Sequence, residues 1–492
     1  MKLVAGIDLG TQSIKVVLYD YENLTIVEKT SHDLDIISAN DGTREQTTAW
    51  YKEAMLDCFA RLNKDNLAKV EAVGVSGQQH GFVPLGADKE SLYNIKLWND
   101  TSTTKECDEL TALCGGEEAV IAEVGNLFLT GFTAGKILWL KNNKPELFAK
   151  LKYIMLPHDY INFLLTDNYV MEAGDASGTA LLDTKTKTWS KKACALIDEK
   201  LYDLLPQIIE FDEKAGSVTA EASSLYGLPV GIPVSSGGGD NMMGAIGTGC
   251  VSDGFLTMSL GTSGTLYGYS DKVISNPIEG VAGFCSSTGG YLPLLCTMNC
   301  TVAQEEIRKL FDLSVKDYDA LALKSPIGAD GVMMIPFFNG ERSPNLPNGK
   351  ASINGLTLAN SSKANICRAA MESAIFALRS GLDSFRKLGF QPREIRLIGG
   401  GAKSPLWRQI ASDVFNLPLQ VPALDEAAAI GGAIQALACL YKGKESIEDL
   451  CAKHIKLNPS SACMPIAENV VAYDAAYKDY LKYLDSSINL YK

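Results

Sequence analysis

The chain has 492 residues, 46% of them hydrophobic and 21% charged, with a formal net charge of −13. That length exceeds one ordinary core, so two or more domains are expected, and the acidity argues against nucleic acid or an anionic membrane as partner. Twelve dispersed cysteines with no Cys-x-x-Cys, and only four histidines, argue against a zinc site and suit a reducing cytosol.

Residues 4–20 read as a β-hairpin: apolar runs Leu3 to Ile7 and Ile14 to Leu18 flank a Gly10-Thr11-Gln12-Ser13 turn. Gly10 permits a tight turn and close approach to a ligand, and successive N–H groups in such a turn form an anion site. Asp8 beside it makes sense if a cation lies between carboxylate and phosphate; the other reading is an ordinary hairpin whose turn Asp8 caps. Asp8 also stands where a secretion signal needs its apolar run, so none is expected.

Further along, Gln46 to Leu67 has helical spacing and Val70 to Val75 reads as a strand that enters Ser76-Gly77-Gln78-Gln79-His80-Gly81. Polar groups converge there, as sugar hydroxyls require, or His80 caps a loop. Leu97-Trp98-Asn99-Asp100 offers an aromatic face beside two polar side chains, suited to a carbohydrate or to a core tryptophan with a turn after it. Helices follow over Gly131 to Asn143, from Pro145, and from Leu156-Pro157-His158-Asp159-Tyr160, with Asp159 a helix-start carboxylate. Glu172 to Thr179 is a polar, small-residue loop that lines a cleft or connects two elements.

Leu228 to Ser236 reads as a strand ending in Gly237-Gly238-Gly239-Asp240-Asn241, with helix from Met242. The glycines are expected to free the space in front of Asp240 for a substrate hydroxyl; an N-cap role for Asp240 is the competing and compatible reading. Then Leu9-Gly10-Thr11 recurs as Leu260-Gly261-Thr262, half a chain later, with Ser259 in the place of Asp8. The halves therefore read as a duplication, whose two turns would clamp one polyphosphate. Neither turn is a P-loop, and no Gly-x-Gly-x-x-Gly occurs.

In the second half, Phe338 to Pro344 is a loop for an interdomain or nucleotide-side contact. Asn365 to Phe385 is an amphipathic helix. Strand Arg396-Leu397-Ile398 enters Gly399-Gly400-Gly401-Ala402-Lys403-Ser404-Pro405 before a helix from Leu406, a pattern for close approach to a flat or anionic group. Asp425 to Tyr441 is a nearly all-apolar, buried helix; its apolar run from Ala427 contains Gln435 and is too short to span a bilayer. The tail is helical and polar enough to be surface. Alternating strands and helices indicate α/β architecture in each half.

These motifs together resemble the FGGY carbohydrate kinases. Residues 131–143 are similar to the family's first signature, and residues 351–356 followed by Asn365 to Glu372 to its second. Gly77 to Gly81, Trp98-Asn99-Asp100, Gly237 to Asn241 and Gly399 to Gly401 are most similar to those of members acting on D-xylulose. The resemblance implies two ribonuclease-H-like domains of actin/hexokinase type flanking a central cleft: residues 1–247 sugar-binding and 248–492 nucleotide-binding. It implies ATP-dependent phosphorylation of the 5-hydroxyl of D-xylulose, with another ketose or polyol (ribulose, glycerol, gluconate) or a non-kinase ATPase as alternatives. By the same resemblance Asp240 is the catalytic base, and Gln79, His80, Asp240 and Asn241 contact the ketose. Thr11, Gln12, Gly261 and Thr262 hold phosphates, with Lys15 a further contact. Gly400, Gly401 and Ser404 face adenosine, and Asp8 lies near Mg²⁺. A cytoplasmic enzyme, no nucleic acid or membrane partner, and a homodimer are expected. One departure stands out: Thr101-Ser102 follow Asp100 where many members have Gly-Arg, which bears on the sugar pocket's contacts.

Overall fold

The computed structural model describes residues 1–491. Two mixed sheets repeat one plan. In the first, strand Leu3–Leu9 runs antiparallel to Ser13–Asp20, which pairs in turn with Thr25–Asp33, and parallel to Val70–Gly77, which continues to Pro233–Ser235. In the second, Phe255–Leu260 runs antiparallel to Gly264–Gly268, which pairs with Tyr291–Thr297, and parallel to Glu394–Ile398, which continues to Leu419–Gln420. Order and direction match strand for strand, so the duplication seen as two Gly-Thr turns extends to both sheets. The central strands are buried on both faces, hence their nearly continuous Val, Ile, Leu and Ala content.

Two helices join the sheets. Asp240–Thr248 leaves the first sheet through the short strand Gly238–Gly239, which pairs with Ser76 and Gly77. Ala427–Leu440 comes from the second half but packs on the first sheet: a Cβ on Gly74 would lie 1.9 Å from the Gly432 carbonyl oxygen. The helices meet each other as closely, since a Cβ on Gly431 would lie 1.8 Å from the Met243 carbonyl oxygen. Glycine here buys backbone-to-backbone contact at a site no larger side chain can occupy.

Several elements differ from their sequence reading. Gln46 ends a strand, Arg44–Gln46, and the helical stretch behind it divides into Thr48–Ala60 and Lys64–Leu67. The strand expected over 228–236 shortens to Pro233–Ser235, and the next helix begins at Asp240 rather than Met242. Residues 172–179 are not a loop; they form helical turns Ala173–Ala176 and Ser177–Thr179. The final helix, Ala467–Tyr491, buries Tyr473, Tyr477, Tyr480 and Leu484 in the second core, so its polar sequence conceals one packed face. Among the described residues no helix is long and apolar enough to cross a membrane.

Candidate active site

A cleft of about 1160 Å³ opens between the halves, with Thr11, Gln79, His80, Asp240 and Asn241 on one wall and Gly261 on the other. Of the other residues expected at a site, Asp8 bears electrostatically on Asp240 from behind this lining. Gln12, Thr262, Gly400, Gly401 and Ser404 lie outside the lining.

Asp240 occupies the first turn of its helix, with Gly239 as N-cap. One carboxylate oxygen, Oδ1, accepts from the Asn241 backbone N–H at 2.8 Å and from Asn241 Nδ2 at 3.0 Å. Among the described residues nothing donates to Oδ2. Burial pushes this carboxyl up to about 7, and the negative charges of Asp8 and Asp175 add to the shift. A carboxylate with that affinity for protons and one unoccupied oxygen is matched to general-base work near neutrality.

The triple glycine before it does different work from that expected. The space beside each is taken by protein: a Cβ would lie 2.8 Å from His158 Cδ2 at Gly237, 2.6 Å from Met243 Cε at Gly238 and 2.6 Å from Gln79 Cγ at Gly239. The glycines seat the strand end and thereby aim Asp240; they do not clear room for a ligand.

Gln78 and Gln79 follow the end of strand Val70–Gly77 and point to different sides. Gln78 Nε2 bonds inward to Gln46 Oε1 at 2.8 Å and Tyr51 Oη at 3.0 Å. Gln79 faces the cleft; its Oε1 accepts from Asn241 Nδ2 at 2.7 Å, while its buried Nε2 has no partner. His80 has a left-handed backbone, φ 64°, held by Lys136 Nζ and Thr133 Oγ1, which donate to its carbonyl at 2.7 and 3.1 Å. Burial, with the Lys136 and Arg342 cations adding, keeps its imidazole well below the usual range and so neutral. An amide nitrogen and a neutral imidazole nitrogen that both lack partners are complementary to hydroxyls that both donate and accept.

Beneath this floor lies a buried charge network that residue spacing does not reveal. His158 bonds Asp175 Oδ2 through Nδ1 at 2.8 Å and approaches Asp159 Oδ1 through Nε2 at 2.9 Å. Burial opposes its charge, but the two carboxylates outweigh burial and hold the imidazolium well above the usual value. Asp159 also accepts from the Leu156 N–H at 3.0 Å, the helix-start role expected of it.

The two Gly-Thr turns are similar but not identical, since four residues link Leu9 to Ile14 and three link Leu260 to Gly264. Gly10 N donates to Ser13 O at 2.9 Å and Gly261 N to Ser263 O at 3.2 Å; a Cβ on either glycine would touch only that carbonyl, at 3.4 Å. Neither has a positive φ, so what glycine supplies is an uncovered backbone and not an unusual turn. Asp8 accepts from Ser76 Oγ at 2.8 Å; burial raises its carboxyl, while Ser76 and the cross-strand Lys15 draw it down. Lys15 Nζ is itself bound to Glu426 Oε2 at 2.6 Å. Among the described residues no group of three or more His, Cys, Asp or Glu side chains could hold a metal. A single carboxylate suits a hard cation whose remaining ligands come from elsewhere.

On the third motif, Gly400 faces open space, whereas a Cβ on Gly401 would lie 2.7 Å from Leu260 Cβ and 2.8 Å from Trp407 Cε3. Ser404 Oγ accepts from the Trp407 N–H at 3.3 Å as a helix N-cap. Trp98 is half-buried in the cleft wall, and its Nε1 donates to Thr11 Oγ1 at 2.9 Å.

Residues 3–247 match the model of the N-terminal domain, and residues 256–440 that of the C-terminal domain, of the FGGY family of carbohydrate kinases. A curated relative named xylulose kinase, from Haemophilus influenzae, is 42% identical over 97% of this chain and 99% of its own. Another of that name, from Escherichia coli, is 32% identical over 95% and 96%. A solved structure described as a xyloylose kinase from Brucella ovis superposes with TM-score 0.92 at 28% identity, covering 99% of this chain and 100% of that one.

Proposed function

This chain belongs to the FGGY family of carbohydrate kinases, and we propose that it transfers the γ-phosphoryl group of ATP to the 5-hydroxyl of D-xylulose, giving D-xylulose 5-phosphate and ADP. The observation that carries this reading is Asp240: a carboxylate with one free oxygen, in a cleft between two halves, beside an amide and an imidazole suited to sugar hydroxyls. The names of the relatives supply the choice of ketose.

Phosphoryl transfer asks a protein for alignment and charge stabilisation more than for covalent chemistry. Residues 1–247 carry the sugar and residues 248–492 the nucleotide. Gln79, His80 and Asn241 orient the ketose so that its 5-hydroxyl meets Asp240 Oδ2, which takes the proton as the oxygen attacks. The backbone N–H groups around Thr11 with Gln12, and around Gly261 with Thr262, face the phosphates from both halves. Asp8 would hold Mg²⁺, and Lys15, now bound to Glu426 Oε2, would add a cation beside the phosphates. Gly400, Gly401 and Ser404 border adenosine; at Ser404 the backbone is the available contact, since its hydroxyl caps a helix. Bound Mg²⁺ neutralises charge on the β- and γ-phosphates.

All twelve cysteines are unpaired, in keeping with a reducing cytoplasm. A homodimer is proposed, and sedimentation analysis tests it. The decisive functional test is a coupled ADP-release assay across pentuloses, pentitols, glycerol and gluconate. D-Xylulose should give the highest kcat/KM; preference for another substrate, or ATP turnover indifferent to any polyol, would overturn the reading.

A further inference from the structure

Arg342, from the second half, lines the cleft near the sugar wall. Its loop is tightly braced. The buried Glu341 carboxylate accepts from the Met298 N–H at 2.7 Å, Asn299 Nδ2 at 3.1 Å and the Arg342 N–H at 2.7 Å. Glu341 and Leu346 also exchange backbone hydrogen bonds at 2.8 and 2.9 Å. So supported, the guanidinium crosses the cleft and lies 5.8 Å from the ring centroid of Trp98. Gly131, where a Cβ would lie 2.1 Å from the Trp98 carbonyl oxygen, brings its backbone beside Arg342 Nη2. Among the described residues no carboxylate or carbonyl accepts from this guanidinium. An arginine that is positioned this firmly, stacked near an indole and left with its donors unused is arranged for a ligand with paired acceptors.

The position selects the end of the ligand. Lys136 Nζ donates to the carbonyls of both His80 and Gly131, at 2.7 Å each, and Arg342 Nη2 lies beside Gly131, so the guanidinium stands at the His80 end of the wall. A five-carbon chain with its 5-hydroxyl on Asp240 therefore brings its opposite end to Arg342. We infer that Arg342 is a specificity-determining residue: it donates two N–H bonds to the O1 hydroxyl and O2 carbonyl of the open-chain ketose, so that the nucleotide half senses the sugar directly. This rests on the reading of the cleft as a D-xylulose site.

The test is a cycle between enzyme and substrate. Arg342→Ala and Arg342→Lys are compared with the unaltered enzyme on D-xylulose and on 1-deoxy-D-xylulose, which lacks the O1 hydroxyl; ADP affinity, by calorimetry, reports on folding. For D-xylulose, Arg342→Ala should lose about 10–100-fold in kcat/KM, mostly through KM. For the deoxy sugar the further loss should be only a few-fold, and Arg342→Lys should recover part of the activity on D-xylulose. Equal losses on both sugars, or a loss confined to kcat, would overturn the inference and move Arg342 to the phosphates or to a structural role. If Arg342→Ala fails to bind ADP, the lysine variant carries the same comparison. An unaltered enzyme inactive on D-xylulose but active on another polyol would overturn the functional reading and this inference with it; equal losses in an active enzyme overturn the inference alone.

Discussion

Asn241 grips one oxygen of Asp240 and leaves the other free: both its backbone N–H, at 2.8 Å, and its Nδ2, at 3.0 Å, reach Oδ1. The same Nδ2 bonds Gln79 Oε1 at 2.7 Å, so the orientation of the proposed base is tied to the strand end that faces the sugar. Orientation and basicity can therefore be probed separately.

Asp240→Asn keeps the shape and removes the base. It should lower kcat by roughly 10²–10⁴-fold while ADP affinity, measured calorimetrically, stays within a few-fold of the unaltered enzyme. Turnover near normal would take Asp240 out of that role.

The same carboxyl predicts the pH profile. A base works deprotonated, so kcat/KM should fall as pH drops through the Asp240 value of about 7 and level off above it. Asp175 is among the negative charges that raise that value, so Asp175→Asn should move the acid limb to lower pH. A limb that stays in place in that variant would assign it to another group.

Two glycines should separate function from stability. Gly10→Ala meets only the Ser13 carbonyl, at 3.4 Å; Tm should hardly change, while KM for ATP rises on the order of tenfold, about 1.4 kcal/mol. Gly74→Ala would push a methyl to 1.9 Å from the Gly432 carbonyl oxygen and should cost about 1–3 kcal/mol or more in stability. Thermal melts and ATP titrations of both variants check the contrast.

His158 carries the last prediction. His158→Gln leaves Asp159 and Asp175 buried without their shared cation and should destabilise by about 3–5 kcal/mol in denaturant titrations. Because its folded pKa lies above the unfolded value, the contribution of His158 is fully present below about pH 6.5 and is lost as pH rises through the folded value. The gap between unaltered enzyme and variant should thus be widest in mild acid and narrow toward alkaline pH.

The chain order alone carried the doubled hairpins, the α/β class, the polar strand end at Gln79 and His80, and the acidic residue after three glycines. Each is a local pattern of turn chemistry, hydrophobic period or repeated motif, and such patterns are set by neighbours in sequence. Tertiary structure decided what those residues touch. Docking 17 residues apart put Asp175 on His158 beneath Asp240; docking across the halves put Arg342 over Trp98 and the Ala427–Leu440 helix on the first sheet. The glycines of residues 237–239 show the division plainly. Their presence announces close approach, but whether a ligand or the protein's own side chains does the approaching depends on packing between distant segments, which leaves no periodicity to read.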